Sequence, residues 1–427
     1  MSKFQIALTT IFVLCIVVGI ALFASSKASD PSLSAHLVVW GPFPADQFDA
    51  LYQNSSLKSN KLTTVTYVKK DPANFDSDFI EALADGAGPD MVILRDDMQY
   101  KYHNKLFPIP YKNFTERTFK DTFIEESEMY LAPEGIVAFP LTVDPLVLYW
   151  NRDLFTTNLI PQTPKFWDEV YPLVTKITHR DSSANITQST LALGEWRNIT
   201  NAKEILSMLL IQAGSPITSR ISGVVTSVLN SQFNHAAMPS QSGVNFYTQF
   251  SNPTSPTYTW NRSLPSSQNF FLSGNLAMYI GFASELFSIQ QKNANLNFDV
   301  TYVPQIRDSA KQSVFAHMYG ISIVKQSKQI AAAYVAMNAF IESNALLALE
   351  KATNLPPVRR NMLANKPTDA FRTVFYNSAL LSHSWIDPDS TASATVFRDM
   401  IESITSGQSR TGEALSRADN EIGVLLK

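Results

Sequence analysis

The hydrophobic pattern changes period along the chain. It begins with a continuous apolar run: residues 4–26 carry no charge, and residues 6–24 are broken only by Thr9, Thr10 and Gly19. A helix needs roughly 20 apolar residues to cross a bilayer, whereas a signal-peptide core has about 7 to 15. The run therefore predicts a retained N-terminal transmembrane helix within residues 1–27. Lys3 in front of it favours a cytoplasmic N-terminus. The small residues around Lys27 leave cleavage open as the alternative. Residues 28–35, in a Ser/Ala-rich stretch with Pro31, read as a linker.

Beyond the linker, short β-branched runs alternate with helical spacing. Residues 36–41 (HLVVWG) predict a strand that ends at a glycine. Residues 45–57 place Phe48, Leu51 and Tyr52 at helical spacing, and residues 62–68 (LTTVTYV) alternate like a second strand. Residues 75–84 put Phe75, Phe79, Ile80 and Leu83 on one helix face. Residues 91–94 (MVIL) form a buried-strand run after Gly88-Pro89-Asp90. This β-α-β-α-β order implies a mainly parallel sheet covered by helices. Further along, residues 298–303 and 317–324 read as strands and residues 331–349 as one helix without Gly or Pro. Residues 392–427 read as one or two helices.

Composition narrows the class. The 427 residues are 45% hydrophobic, too long a chain for one ordinary core, so two domains or lobes are expected. A net charge of -3 gives no basic footprint for nucleic acid. Cys15 is the sole cysteine, which excludes an internal disulfide, a zinc ribbon and an iron–sulfur site. Its bulky neighbours Phe12-Val13-Leu14 argue against a lipid anchor, leaving it as a small apolar residue of the membrane helix.

Catalytic motifs are missing. The chain has no G-x-x-x-x-G-K-[ST] loop, no G-x-G-x-x-G fingerprint, no H-E-x-x-H helix and no G-x-S-x-G elbow. Its six histidines are far apart in sequence. The expectation is a non-enzyme with no cofactor and no metal. A pair of glycosidase carboxylates stays open, because 37 acidic residues could pair in space.

Six segments resemble, in order, the extracellular solute-binding proteins of bacterial ABC importers, of the large sugar-binding, maltose-binding-protein-like type. They are Gly88-Pro89-Asp90-Met91-Val92; Phe139-Pro140 followed by LYWNRDLF at residues 148–155; Pro164 with Phe166-Trp167-Asp168-Glu169; FLSGNLAM at residues 271–278; Tyr319-Gly320-Ile321-Ser322-Ile323 with KQSK at residues 325–328; and NLPPVRR at residues 354–360. Phe166 stands where the pattern has Thr, and Asn354 where it has Gly. The resemblance implies an α/β, two-lobed periplasmic-binding-protein-like clamshell of type II behind the membrane helix. It assigns residues 36–144 and 301–341 to lobe 1, and residues 145–300 and 342–427 to lobe 2. It further implies a small-molecule solute, most simply a sugar, captured in the cleft and passed to ABC permease subunits. The folded part would lie outside the cytoplasmic membrane, held by the N-terminal helix.

Ligands of open α/β sheets sit outside the C-terminal ends of the strands. That rule selects Trp40, Asp96 and Asp97. Asp144 lies beside the crossover and Trp260 in a polar Pro/Ser/Thr stretch, where it is expected to be exposed as a sugar-stacking plate. Gly281, Phe282 and Glu285 follow the F-x-x-G…A-M segment, and the family often has an aromatic ligand contact near Phe282. Tyr319 precedes the returning strand and Arg359 follows the Leu-Pro-Pro turn. Competing readings are the same fold with another solute (polyamine, peptide or phosphorylated compound), a tethered sensor, and a carbohydrate-active enzyme. The absence of a Tyr-Tyr pair counts against ferric iron.

Overall fold

The computed structural model describes residues 35–427 except 61, 234–236 and 310. The membrane helix and linker expected over residues 1–34 lie outside the described residues. Among the described residues no single helix is long and apolar enough to cross a membrane.

The N-terminal alternation builds one end of a long sheet. The strand Ala35–Gly41 pairs in parallel with Thr63–Lys69 on one side and Met91–Arg95 on the other. The helix Phe75–Ala84 packs Phe75, Phe79 and Leu83 with Trp40, Leu94 and Tyr102 on one face of this sheet. The helix Ala45–Gln53 covers the other face through Phe48 and Leu51. It stops four residues short of the expected 57. A 3-10 turn, Ser56–Ser59, continues the apolar spacing by burying Leu57 in the same core.

Two long strands cross the middle of the molecule. The crossover strand, Phe139–Asn151, runs antiparallel to the return strand, Val314–Val324. The return strand is also antiparallel to Met91–Arg95, and the crossover strand to Leu276–Phe282. The centre of the sheet is thus antiparallel, whereas the expectation was mainly parallel. The alternation that suggested it covers only the first three strands.

These strands change cores at one level. In the crossover strand, Phe139, Leu141 and Val143 belong to the first core, and Leu146 to Tyr149 belong to the second. In the return strand, Val314 and Phe315 sit in the second core, and Ala316, Met318 and Ile321 in the first. Asp144 and His317 are cross-strand partners at that switch. The molecule therefore has two halves joined by continuous strands.

The cores also redraw the expected lobes. Residues 331–349 are two helices, Ile330–Phe340 and Ser343–Thr353, bent by 68°. Glu342 stands at the break and accepts hydrogen bonds from the Ser56 backbone N–H (3.0 Å) and hydroxyl (2.6 Å). Ala345, Leu346, Leu349, Val358 and Leu363 bury in the first core, not the second. Val303 sits in the second core, not the first. The closing helices are two, Ser390–Thr405 and Thr411–Leu425. Gly407 turns the chain between them at φ +75°, a conformation L side chains rarely adopt.

Candidate binding cavity between the halves

A cavity of about 340 Å³ lies where the strand ends of the first half meet the second half. This is near the lower end of ligand-pocket volumes, which run from about 300 to 1,000 Å³. Its first-half wall is made by the ends of Thr63–Lys69 and Met91–Arg95 and by the loops after them, through Lys70, Phe75, Asp76, Arg95, Asp97, Lys101 and Tyr102. Tyr319 joins that wall from the return strand. Its second-half wall is the start of the helix Ser390–Thr405, through Asp389, Ser390 and Thr391.

The charged lining is paired. Arg95 Nε and Nη2 donate to Asp97 Oδ1 (2.8 Å) and Oδ2 (2.6 Å), a bidentate fork. Burial alone would raise the Asp97 pKa; Arg95 and His317 overrule it and hold the carboxyl well below the usual carboxylate range. The Ser390 hydroxyl of the second half donates to Asp97 Oδ2. Lys101 spans the halves, with Asp76 at 2.6 Å and Asp389 at 2.8 Å. Asp389 also caps its helix by accepting from the backbone N–H of Thr391 (3.0 Å) and Ala392 (2.9 Å). Lys70 pairs with Asp78 at 2.7 Å and sits 3.9 Å from the Trp40 ring centroid.

Tyr319 reaches the cavity through an irregularity in pairing between Tyr319 and Gly320. A bulge of this kind re-aims a side chain beside a site. Gly320 has room for no more: a Cβ there would lie 2.9 Å from the Tyr130 ring. Burial pushes the Tyr319 hydroxyl up to about 12, with Arg95 opposing, so it stays a neutral donor and acceptor at physiological pH.

Beside the cavity lies a second polar cluster at the core switch. Asp96 accepts from His317 Nδ1 (2.8 Å), from the Met318 backbone N–H (3.1 Å) and from the Ser384 hydroxyl (2.8 Å). Glu204, on the second-half helix Ala202–Gln212, stands 3.4 Å from His317 Nε2. Phe282 stacks on the His317 ring at 5.0 Å. Burial and Arg95 pull the His317 pKa down, but Asp96 and Glu204 outweigh them and push it up to about 9. Asp96, Asp97 and His317 lie close enough to share an ion. Arg95 on Asp97 and the His317 proton on Asp96 already engage those carboxylates.

Of the ten expected contacts, Asp97 and Tyr319 line the cavity. Trp40 lies behind it, under Lys70. Asp96 turns away from it toward His317. Asp144 is buried, accepts from the Ser284 backbone N–H (3.0 Å), and is pushed up to about 6 by burial. Glu285 accepts from Gln268, Asn201, the Phe282 backbone N–H and the Tyr279 hydroxyl, a network within the second half. Gly281 serves that packing: a Cβ there would fall 2.5 Å from the Tyr279 ring.

Two expectations are corrected. Trp260 is not an exposed plate; it is fully buried in the second core, donates to Asn198 Oδ1 at 3.1 Å and packs edge-on against Phe270. Arg359 donates to the Ile341 carbonyl at 2.7 Å and lies over Phe123, within the first half. Sequence reasoning missed Lys70, Lys101 and Ser390. Lys70 follows the second strand directly, so the strand-end rule could have found it. Asp389 and Ser390 open a helix with an acidic cap, a signal legible at Asp387-Pro388-Asp389-Ser390.

Comparison with known proteins agrees with the fold. The family model for bacterial extracellular solute-binding proteins matches residues 46–373, over half of the chain. No curated protein matches. Among solved structures, a cyclo/maltodextrin-binding protein complexed with maltotetraose aligns with TM-score 0.73 at 16% identity, covering 91% of this chain and 96% of that one. An ABC transporter solute-binding protein from Thermotoga lettingae TMO, bound with α-D-tagatose, aligns with TM-score 0.66 at 15% identity, covering 92% and 100%. The identities are low, so these likenesses speak for the fold, and the family match decides the rest: this chain belongs to the bacterial extracellular solute-binding proteins.

Proposed function

We propose that the chain captures a small sugar in the cavity between its halves and presents it to the permease of an ABC importer. The observation that carries this reading is the composition of the cavity wall. Carboxylates of both halves (Asp97, Asp389), a hydroxyl of the second (Ser390) and cations of the first (Arg95, Lys101) stand beside the part-exposed ring of Tyr319, with Phe75 and Tyr102 set deeper in the wall. Sugars present hydroxyl rims to such donors and acceptors and apolar faces to such rings. The volume suits one or two sugar rings better than a long oligosaccharide. The two structural relatives, one carrying maltotetraose and the other tagatose, support the same class.

The mechanism follows from the two-sided wall. A ligand held by groups of both halves binds the closed arrangement more tightly than an open one and shifts that equilibrium. The Arg95–Asp97 fork fixes both side chains before the ligand arrives, so little side-chain freedom is lost on binding. The apolar run at residues 6–24 would keep the protein at the membrane beside its permease.

A thermal-shift screen of mono- and disaccharides against polyamines, peptides and sugar phosphates tests the ligand class. The expected result is stabilisation by at least one neutral sugar and by no polyamine. Stabilisation by a non-sugar alone would overturn the reading. Fractionation tests the anchor: the full chain is expected in the membrane, uncleaved.

A further inference from the structure

We propose that His317 is a positioning residue for solute capture: it bridges Asp96 of the first half and Glu204 of the second, so that closure of the halves favours its protonated form. The proposal rests on reading the cavity as the capture site. Its basis is placement. His317 occupies the level at which both long strands change cores, opposite Asp144. Its ring is buried between carboxylates of both halves: Nδ1 is hydrogen-bonded to Asp96 at 2.8 Å, and Nε2 lies 3.4 Å from Glu204, an ion-pair distance without hydrogen-bond geometry. Phe282 of the second half covers its face and Phe315 meets its edge.

Asp96 takes the one donor of a neutral imidazole, and a second carboxylate beside the buried, otherwise unpartnered Nε2 favours the cation. The charged groups facing it are Asp96, Asp97 and Arg95 at the end of the third strand, Glu204 with Lys203 beside it, Asp144 across the strand pair, and Glu126 of the first half. Opening removes Glu204 and lets water reach the ring while Asp96, of the same half, stays on Nδ1, so the value falls toward the ordinary 6.5 without reaching it. In the closed arrangement the value is about 9. The contribution of His317 to closure is therefore complete below its open-state value, which Asp96 keeps above about 6.5, and is lost as pH rises through about 9. Asp144, at about 6, titrates below this window. Glu126, pushed up to about 8 by burial, titrates within it and needs its own control.

The test reads the distance between the halves in the ligand-free full chain in detergent. Spin labels are placed at Ser77→Cys and Gln408→Cys in a Cys15→Ser background; both sites are exposed, one on each half. The expected result is a shift from a short to a longer distance between pH 6.5 and 9.5 in the parent. That shift is expected to be absent in His317→Gln and reduced in Glu204→Gln, and kept in Glu126→Gln. An unchanged distance in the parent, or a parent-like shift in His317→Gln, would overturn the clasp. Where His317→Gln does not fold, the parent profile and the Glu204→Gln profile decide alone. Titration with maltotetraose and with tagatose, in buffers of different ionisation enthalpy at pH 8, adds a second readout. Binding with measurable proton uptake, at most one per ligand, supports the clasp, and affinity then weakens by at most about tenfold per pH unit. Binding without proton uptake sinks the clasp and leaves the sugar reading standing. Absence of sugar binding at every pH sinks the sugar reading, while the label distances still judge the clasp.

Discussion

Asp96 and Asp97 are consecutive, yet they serve two different regions. Asp97 looks into the cavity, clamped by Arg95 and touched by Ser390 from the other half. Asp96 looks into the seam between the cores and holds His317, Met318 and Ser384. The cavity wall places charges where a ligand can reach them, already oriented by pairing. The seam places charges where only protein reaches them, so its groups govern stability and closure. The difference teaches that a carboxylate at a strand end is not by that position a ligand contact. The turn of one residue decides which region it serves.

Substitutions can break this division. The largest effects belong to the interior. Asp96→Ala leaves the charged His317 buried without its close partner, and loss of one member of a buried pair costs about 3–5 kcal/mol of stability in a denaturation experiment. Trp260→Ala opens a hole in the second core and is expected to cost about 3–5 kcal/mol while leaving solute affinity near that of the parent. A selective loss of affinity in Trp260→Ala would restore it as a ligand contact. Next comes the wall. Asp97→Asn keeps the shape but removes the charge that Arg95 grips, and affinity is expected to fall by about tenfold or more, roughly 1.4 kcal/mol by titration calorimetry. The smallest effect is that of Lys101→Ala. Its partners are partly exposed, so about 1 kcal/mol or less of stability is expected to go, with a few-fold loss of affinity. The seam should also respond to pH. Folded-state values of about 9 at His317 and about 8 at Glu126 both lie above their ordinary ones. Their contributions are lost as pH rises, so the melting temperature of the parent is expected to fall between pH 7 and 9.5, and less so in His317→Gln.

Periodicity made the outline of the first half readable. The strands at residues 36–41, 62–68 and 91–94 and the helix Phe75–Ala84 emerge with shifts of a residue or so. Local pattern failed where packing between distant segments decides. Nothing in residues 331–349 announces the bend at Glu342, because its partner, Ser56, lies 286 positions away. Trp260 sits in a polar stretch, yet the second core closes over it, since an indole needs only one partner, here Asn198, to be buried. Asp97 and Tyr319 were legible because strand ends form the wall. Lys101 and Ser390 were not, because each meets its partner, Asp389 and Asp97 respectively, only when the second half is laid against the first.

The most direct test is a calorimetric titration of neutral mono- and disaccharides into the parent chain and into Asp97→Asn. The account predicts saturable one-to-one binding of at least one sugar by the parent, weakened about tenfold or more in the variant. Parent-like affinity in Asp97→Asn, or no sugar bound by the parent, would contradict it.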